Sequence, residues 1–266
     1  MGEKQGKPRL SDDMSFMLSV MEEAGVRAMK YFDTGISVTR KGDGSPVTIA
    51  DREVEALIRR AIEDRYPDDG ILGEEEEEKA SSGGARRWII DPIDGTMNFS
   101  RGIPIFSILM ALERDDDIVA GAVLNPASGD LYYAERGAGA YKNHRPIKAS
   151  AVDSLSDALM IFGAPDRILQ AGLWDGFTSL VRSTYKQRGL GDYLGFALVF
   201  EGKAEANIEV GLKPWDLAPM KILAQESGGL FLDLEGGTSI YQGSCVVANA
   251  VLAREFYRRL TASDFT

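Results

Sequence analysis

Two stretches near the beginning of the chain carry apolar residues at helical spacing. The first follows Ser11-Asp12-Asp13, which resembles a helix start because acids favour the positive end of the helix dipole. The second follows Thr48, whose spacing from Asp51 is that of a capping box, and Pro67 ends it. The first apolar stripe is Met14, Met17, Leu18, Met21, Ala24, Ala28 and Tyr31, and the second is Val54, Leu57, Ile58, Ala61 and Ile62. The spacing predicts two amphipathic helices.

The middle of the chain contains short runs of β-forming residues. Trp88 to Ile90 is a continuous apolar run, typical of a buried strand. Further runs bounded by turn residues predict an antiparallel meander over residues 105–113, 118–125, 130–135 and 138–142.

Helices and strands alternate after residue 150. Helices are predicted over 166–182, 193–201, 214–227 and 251–260, and strands over 185–188, 204–210, 230–234 and 244–249. A meander followed by alternation predicts an α/β (α+β) fold. We expect two fused regions, 1–150 and 151–266, in one compact unit.

The composition is that of a globular domain, with 44% hydrophobic and 27% charged residues among 266. No apolar run approaches the roughly 20 residues of a membrane span. The first ten residues, MGEKQGKPRL, lack an apolar signal core, so we expect a cytoplasmic protein. A net charge of −11 disfavours nucleic acid as a partner, since phosphate backbones need a basic surface.

Reactive side chains other than carboxylates are scarce. Cys245 is the single cysteine, which excludes an internal disulfide, and its apolar surroundings indicate a buried residue rather than a nucleophile. The single histidine, His144, lies in a predicted hairpin turn. Cysteine-phosphatase chemistry and mechanisms that need several histidines are therefore excluded, and carboxylates must carry the chemistry.

The most informative stretch is WIIDPIDGTMNF, from Trp88 to Phe99. It places Asp91 and Asp94 at the end of an apolar strand without a Lys or Arg between them. Buried carboxylates are costly unless they are paired or bind metal, and oxygen ligands suit a hard cation such as Mg²⁺. Gly95 permits a tight turn, so its amide and that of Thr96 are candidates for binding an anion. Metal ligands beside an anion site indicate phosphoryl chemistry.

This stretch has two other interpretations. Asp94-Gly95 is also a common turn pair at the end of a strand. Haloacid-dehalogenase phosphatases carry two strand-borne aspartates before Gly-Thr, but at i and i+2, so that both leave one face. The i, i+3 spacing here does not fit that nucleophile and acid pair.

Further acids lie at the ends of predicted elements, where sites are built. Asp51 falls in a first helical turn and Asp216 at another helix start, positions where capping or the helix dipole also explains an acid. Glu74 and Glu75 follow the predicted strand 71–73 and are assigned to the site, whereas Glu76 to Glu78 are assigned to the surface.

Together these motifs resemble the inositol monophosphatase superfamily of metal-dependent, lithium-sensitive phosphatases. The matching segments are SPVTIAD (Ser45 to Asp51), GEE (Gly73 to Glu75), WIIDPIDGTMNF and PWDLAPMKILAQESGG (Pro214 to Gly229), in the order of the family. The resemblance implies a layered αβαβα sandwich of the inositol monophosphatase and fructose-1,6-bisphosphatase type, with two to three Mg²⁺ ions, or Mn²⁺ as substitute, between the sheets. It also implies a homodimer.

The resemblance assigns roles residue by residue. Glu74, Asp91 and the Ile93 carbonyl correspond to ligands of a first Mg²⁺, and Asp91, Asp94 and Asp216 to ligands of a second. Glu74 also corresponds to a residue that faces a weaker third ion through water. Asp51 and Thr96 correspond to the groups that orient and deprotonate the attacking water, and the Gly95 and Thr96 amides to a phosphate site. Glu75 matches a motif position without a firm role.

Substrate selection is expected in the later half of the chain. Asp192 stands where inositol-specific members have a small residue, and Glu209 matches a position that contacts the body of the substrate. The stretches 188–192 (RGLGD) and 201–204 (EGKA) are similar to the histidinol-phosphatase branch. Two carboxylates suit the ammonium group of histidinol phosphate better than a neutral polyol. Capping of the following helix is the other explanation of Asp192.

The favoured hypothesis is a Mg²⁺-dependent phosphomonoesterase acting on histidinol phosphate through activated water. Inositol-1-monophosphatase is the alternative, and bisphosphate nucleotidase or fructose-1,6-bisphosphatase activity is less favoured. A catalytically silent binding protein on the same fold is a non-enzymatic alternative, which the complete set of acids disfavours.

Overall fold

The computed structural model describes residues 10–42 and 46–262. The start of the SPVTIAD motif at Ser45 and the N-terminal residues 1–9 lie outside these ranges. The helices are α1 Asp12–Met29, α2 Ile49–Arg65, α3 Thr96–Ser100, α4 Pro165–Gln170, α5 Trp174–Ser183, α6 Asp192–Phe200, α7 Pro214–Glu226 and α8 Ala253–Thr261. The strands are β1 Thr39–Arg40, β2 Pro46–Val47, β3 Gly70–Gly73, β4 Arg86–Asp94, β5 Ser107–Arg114, β6 Asp117–Asn125, β7 Asp130–Glu135, β8 Gly139–Lys142, β9 Arg145–Ile147, β10 Leu159–Phe162, β11 Lys186–Gly189, β12 Ala206–Val210, β13 Gly229–Asp233 and β14 Ser244–Asn249.

The first large sheet has seven strands in the order β3-β4-β5-β6-β7-β8-β9. From β4 onward every neighbour is antiparallel, which confirms the predicted meander, and β3 alone pairs in parallel with β4. Because β3 and β4 are parallel, their carboxyl ends lie at the same edge of the sheet. The acids that follow each strand are thereby brought to one place.

The second large sheet has five strands in the order β11-β10-β12-β14-β13. Strand β10 pairs in parallel with β11 and β12, whereas β14 is antiparallel to β12 and β13. Mixed pairing follows from the alternation of helices and strands in this part of the chain, since helical crossovers allow parallel neighbours.

Three apolar clusters hold five layers together. Ile90 and Ile108 on one face of the first sheet pack with residues of α1 and α2. Ile89 on the opposite face packs with α6, α7 and the inner face of the second sheet. Met160 and Val246 on the outer face of that sheet pack with α5 and α8. The order helix, sheet, helix, sheet, helix confirms the predicted αβαβα sandwich.

Several predicted elements differ in detail. The helix predicted over 166–182 is two helices, α4 and α5, because Gly172 adopts a left-handed conformation (φ 73°) between them. Strands β2, β9 and β10 and the short helix α3 were not predicted. In the described ranges, no helix combines the length and apolar character that crossing a lipid bilayer requires.

Candidate active site

Three aspartates meet at the end of strand β4. In the pairing with β5, Asp91 lies opposite Leu109 and Asp94 opposite Ser107, so β4 contains one extra residue. Residues at i and i+3 of a regular strand point to opposite faces, and such a bulge brings them to the same side. Asp216, in the first turn of α7, completes the group, and carboxylate oxygens of all three lie within 4.8 Å of one another. We call Asp91, Asp94 and Asp216 the aspartate cluster.

Main-chain amides orient each carboxylate of the aspartate cluster. Asp91 Oδ1 accepts from the Ile93 amide at 2.9 Å, and Asp216 Oδ2 accepts from the Lys213 amide at 2.8 Å. Asp94 Oδ2 accepts from the Tyr193 amide at 2.9 Å and from the Ser107 hydroxyl at 3.0 Å. Since amides of the chain itself hold them, the three side chains are organised before any ligand arrives.

Crowding of like charges makes this cluster electrostatically strained. Burial raises the pKa of Asp91 well above its usual value, and the neighbouring carboxylates of Glu74, Asp216 and Asp94 add to the shift. Burial likewise raises the pKa of Asp94 and of Asp216. A divalent cation would relieve this repulsion, and an all-oxygen donor set suits a hard ion. The residues therefore fit the metal that the sequence predicts.

Glu74 borders the aspartate cluster and is bound to Lys41. Lys41 Nζ lies 2.7 Å from Glu74 Oε1 and 2.6 Å from Glu75 Oε1. Burial raises the pKa of Glu74, with the acids Asp216 and Asp51 adding to the shift and Lys41 opposing it. Burial also raises the pKa of Glu75 to about 7. The structure thus brings both glutamates to the site, and Glu76 to Glu78 are exposed as predicted.

Asp51 and Thr96 are in direct contact at the buried floor of the site. The Thr96 hydroxyl lies 3.1 Å from Asp51 Oδ1 and 3.1 Å from the Ile93 carbonyl oxygen, two acceptors for its single proton. Asp51 Oδ2 accepts from the Thr48 amide at 2.8 Å and hydroxyl at 2.6 Å, so the predicted capping box is present. Asp51 therefore caps helix α2 and also belongs to the site.

Gly95 connects the end of β4 to α3 in a left-handed conformation, with φ at 82°. A Cβ at this position would lie 3.1 Å from the Ile105 carbonyl and 3.2 Å from Asp192 Oδ2. Glycine is therefore required both by its backbone conformation and by space. The turn places the beginning of α3 beside the aspartate cluster.

A cavity of about 170 Å³ opens beside the aspartate cluster and is shared by both sheets. It is lined by Asp94, Gly163, Ala164, Arg167, Gly191, Asp192, Tyr193, Phe196, Glu209, Leu212, Asp216 and Met220. We call it the Asp192 cavity. Because Asp94 and Asp216 line it, a molecule in the cavity would touch the cluster directly.

Both residues predicted to contact substrate line the Asp192 cavity. Glu209 is 5% exposed, and among the described residues its Oε1 has no hydrogen-bond partner. Burial, followed by repulsion from Asp192, raises its pKa to about 8. Asp192 Oδ2 accepts from Asn98 Nδ2 at 2.6 Å, and burial raises its pKa to about 6. The residue before α6 is Gly191, so Asp192 is not the N-cap that the capping interpretation required.

Three residues near the site were not found from the sequence. Lys41 lies in a polar stretch without a recognisable pattern, and its partners are distant in the chain. Asn98 belongs to the central motif, and its amide also donates to the Ile105 carbonyl at 2.9 Å. Arg167 lines the Asp192 cavity, and its positive charge opposes the rise in the pKa of Asp192 and of Glu209. Of the three, only Asn98 could have been found from the sequence, because it lies within the central motif.

The fold and the site together define a class of protein: an αβαβα sandwich with an acidic centre at the end of a strand in one of its two large sheets. The inositol monophosphatase family model matches residues 11–264. The chain is 38% identical to a histidinol-phosphatase of Chlorobaculum parvum, over 92% of this chain and 95% of the relative. It is 39% identical to an inositol-1-monophosphatase of Rhizobium meliloti, over 90% and 94%.

A solved structure of similar shape is the extragenic suppressor protein suhB from Bartonella henselae. It has a TM-score of 0.89 and 31% identity, covering 96% of this chain and 100% of that one. The chain belongs to the inositol monophosphatase family, as its motifs predicted. It is a phosphatase of the inositol monophosphatase and histidinol-phosphatase type, a class that acts on small phosphate compounds.

Proposed function

We propose that the protein hydrolyses histidinol phosphate with the help of Mg²⁺ ions. The observation that carries the proposal is the pair of acids in the Asp192 cavity, next to the aspartate cluster. A phosphate held at the cluster would place the rest of the molecule in this cavity. Asp192 and Glu209 would then face the ammonium group of the substrate, and binding a cation would favour their ionised forms.

The cation site is assigned to Glu74, the Ile93 carbonyl and the three members of the aspartate cluster. When bound there, divalent cations neutralise phosphate charge, acidify water and stabilise the departing oxygen. The support is the convergence of three carboxylates in the aspartate cluster, whose burial and mutual repulsion raise the pKa of Asp91, while Lys41 pairs with Glu74 at the border of the cluster. Mn²⁺ is expected to substitute for Mg²⁺ because it accepts the same oxygen ligands.

Asp51 and Thr96 are assigned to the attacking water. Their hydrogen bond joins the Thr96 hydroxyl to a buried carboxylate, so Thr96 can give its proton to Asp51 Oδ1 as its oxygen accepts one from the attacking water. Burial raises the pKa of Asp51, which makes it a better proton acceptor than an exposed aspartate. The Gly95 and Thr96 amides, at the turn into α3, are assigned to the phosphate oxygens.

Hydrolysis of inositol 1-phosphate is the second candidate. Its support is the unpartnered Oε1 of Glu209, since a buried carboxylate oxygen is a good acceptor for a sugar-like hydroxyl, together with the Rhizobium meliloti relative. Asp192 distinguishes the two candidates, because its charge assists an ammonium group and has no counterpart in a polyol.

The test is Mg²⁺-dependent phosphate release from histidinol phosphate, inositol 1-phosphate, fructose 1,6-bisphosphate and 3′-phosphoadenosine 5′-phosphate. We expect the highest kcat/KM for histidinol phosphate. Asp192→Asn keeps the shape of the side chain and its contact with Asn98, and should lower kcat/KM about tenfold or more for histidinol phosphate but little for inositol phosphate.

Asp175→Asn is the matched control, because it removes one exposed carboxylate outside the cavity. Equal losses on the two substrates in Asp192→Asn would contradict the assignment of Asp192. Phosphate release that does not depend on Mg²⁺ would contradict the assignment of the cation site.

A homodimer and a cytoplasmic location stay predictions that accompany this proposal. Light scattering on the purified protein tests the dimer, and cell fractionation tests the location.

A further inference from the structure

A row of buried charged residues runs along helix α2. Asp51, Glu55 and Arg59 are spaced by four residues, so they share one face of the helix, and they are 0%, 0% and 6% exposed. Asp51 belongs to the candidate active site. Glu55 and Arg59 take part in no step assigned above, although burying a charge is costly without hydrogen bonds.

The Glu55 carboxylate is bound to the loop that follows strand β3. Its Oε2 accepts from the Glu75 amide at 2.7 Å, and its Oε1 accepts from the Glu76 amide at 3.0 Å. Arg59 Nε donates to Oε1 at 2.8 Å. The carboxylate thus holds two consecutive amides of the loop, and Arg59 compensates its charge.

Arg59 and Gly73 complete the attachment of this loop to α2. Arg59 Nη2 donates to the Glu76 carbonyl at 3.0 Å. A Cβ at Gly73 would lie 2.3 Å from Glu55 Oε1, so glycine allows the carboxylate to lie directly on the backbone. The two residues that follow Glu74 are therefore hydrogen-bonded to α2, and Gly73 before it lies against the Glu55 carboxylate, so a shift of the Glu74 backbone would disturb these contacts.

We propose that Glu55 and Arg59 are positioning residues that hold Glu74 in place to bind a divalent cation. The inference rests on the proposed function, because Glu74 is assigned there to the cation site. Helix α2 carries Asp51 one turn before Glu55, so the same helix sets the separation of the proton acceptor from the cation ligand. Loss of a group that orients a metal ligand lowers the affinity for the metal by about 10- to 100-fold.

The experiment titrates Mn²⁺ alone into the substrate-free protein by calorimetry. Glu55→Gln should raise the Kd for Mn²⁺ about 10-fold or more, since an amide cannot accept from both loop amides and Arg59 at once. Glu205→Gln is the matched control. Glu205 is also a buried carboxylate that holds a main-chain amide, that of Leu159 at 2.6 Å, but it lies at the second sheet. Glu205→Gln should lower the melting temperature and leave the Kd for Mn²⁺ unchanged.

A double-mutant cycle separates positioning from a general loss of structure. If Glu55 acts through Glu74, Glu55→Gln should cause no further loss of Mn²⁺ affinity in a protein that already carries Glu74→Gln. Additive losses would overturn the inference. So would a Glu55→Gln protein that melts at a lower temperature but binds Mn²⁺ as the wild type does.

Arg59→Lys decides the matter if Glu55→Gln does not fold. Lysine keeps the charge but cannot contact Glu55 and the Glu76 carbonyl with separate nitrogens. We expect a several-fold higher Kd for Mn²⁺, and wild-type affinity would overturn the inference. A wild-type protein that binds no Mn²⁺ would overturn the proposed cation site as well, which distinguishes the two failures.

Discussion

The aspartate cluster and the acids of the Asp192 cavity are adjacent but are held in different ways. In the cluster, the amides of Ile93, Tyr193 and Lys213 orient the carboxylates. In the cavity, Asp192 is held by the side chain of Asn98, and one oxygen of Glu209 finds no hydrogen-bond partner in the part of the chain that the structure describes. The three aspartates assigned to the cation site are therefore oriented by the backbone. The part assigned to substrate choice depends on side chains, which can change without moving the reactive centre.

The largest expected effect comes from breaking the cluster. Asp94→Asn should lower kcat for histidinol phosphate about 1000-fold or more, because it removes a charged ligand of the proposed cation site. The fold should persist, since asparagine can still accept from the Tyr193 amide. The metal-free protein should melt at a higher temperature, because repulsion with Asp192 and Asp216 is relieved. Phosphate release and thermal melts check both statements.

Asp117→Asn is the control for this variant, because Asp117 is a paired aspartate of the same sheet outside the site. Its activity should stay within about twofold of the wild type, as expected for a residue remote from the reaction. Activity of Asp94→Asn close to that of the wild type would contradict its assignment as a ligand.

A smaller effect is expected in the cavity. Glu209→Gln should raise KM for histidinol phosphate about tenfold and change kcat less, since the residue would contact the body of the substrate and not the phosphate. Steady-state kinetics measure the change in KM and the change in kcat separately. A fall in kcat with unchanged KM would place Glu209 with the reactive groups and remove the contrast between the two regions.

The smallest effect is on stability as pH changes. The folded-state pKa of Asp192 is raised to about 6, that of Glu75 to about 7 and that of Glu209 to about 8, in each case chiefly by burial. An acid with a raised pKa binds its proton more tightly in the folded state, so its stabilisation is present at low pH and is lost as pH rises from its ordinary pKa to the raised one.

In EDTA, the melting temperature should therefore fall by several degrees between about pH 6 and pH 8. Mg²⁺ should reduce this fall, because it binds the ionised acids of the folded protein. Differential scanning calorimetry at both conditions is the measurement. A melting temperature in EDTA that is constant or rises over this range would contradict the shared burial of these acids.

Much of the fold could be predicted from the sequence because its determinants are local. The spacing of apolar residues predicted α1 and α2, and turn residues marked the meander β5 to β8. What was missed involves short elements, such as β10 and α3, whose few residues carry little periodicity. The break at Gly172 was missed because apolar residues on both sides keep a helical spacing across it.

By itself the sequence determined which acids are present and which elements carry them, since the motifs around Asp51, Glu74, Asp91 and Asp216 are contiguous. Only the tertiary structure decided which of these acids meet. The bulge in β4 turns Asp94 to the side of Asp91, and the attachment of the Glu74 loop to Glu55 joins residues about twenty positions apart. Such contacts depend on strand pairing and helix packing, which no local pattern of residues specifies.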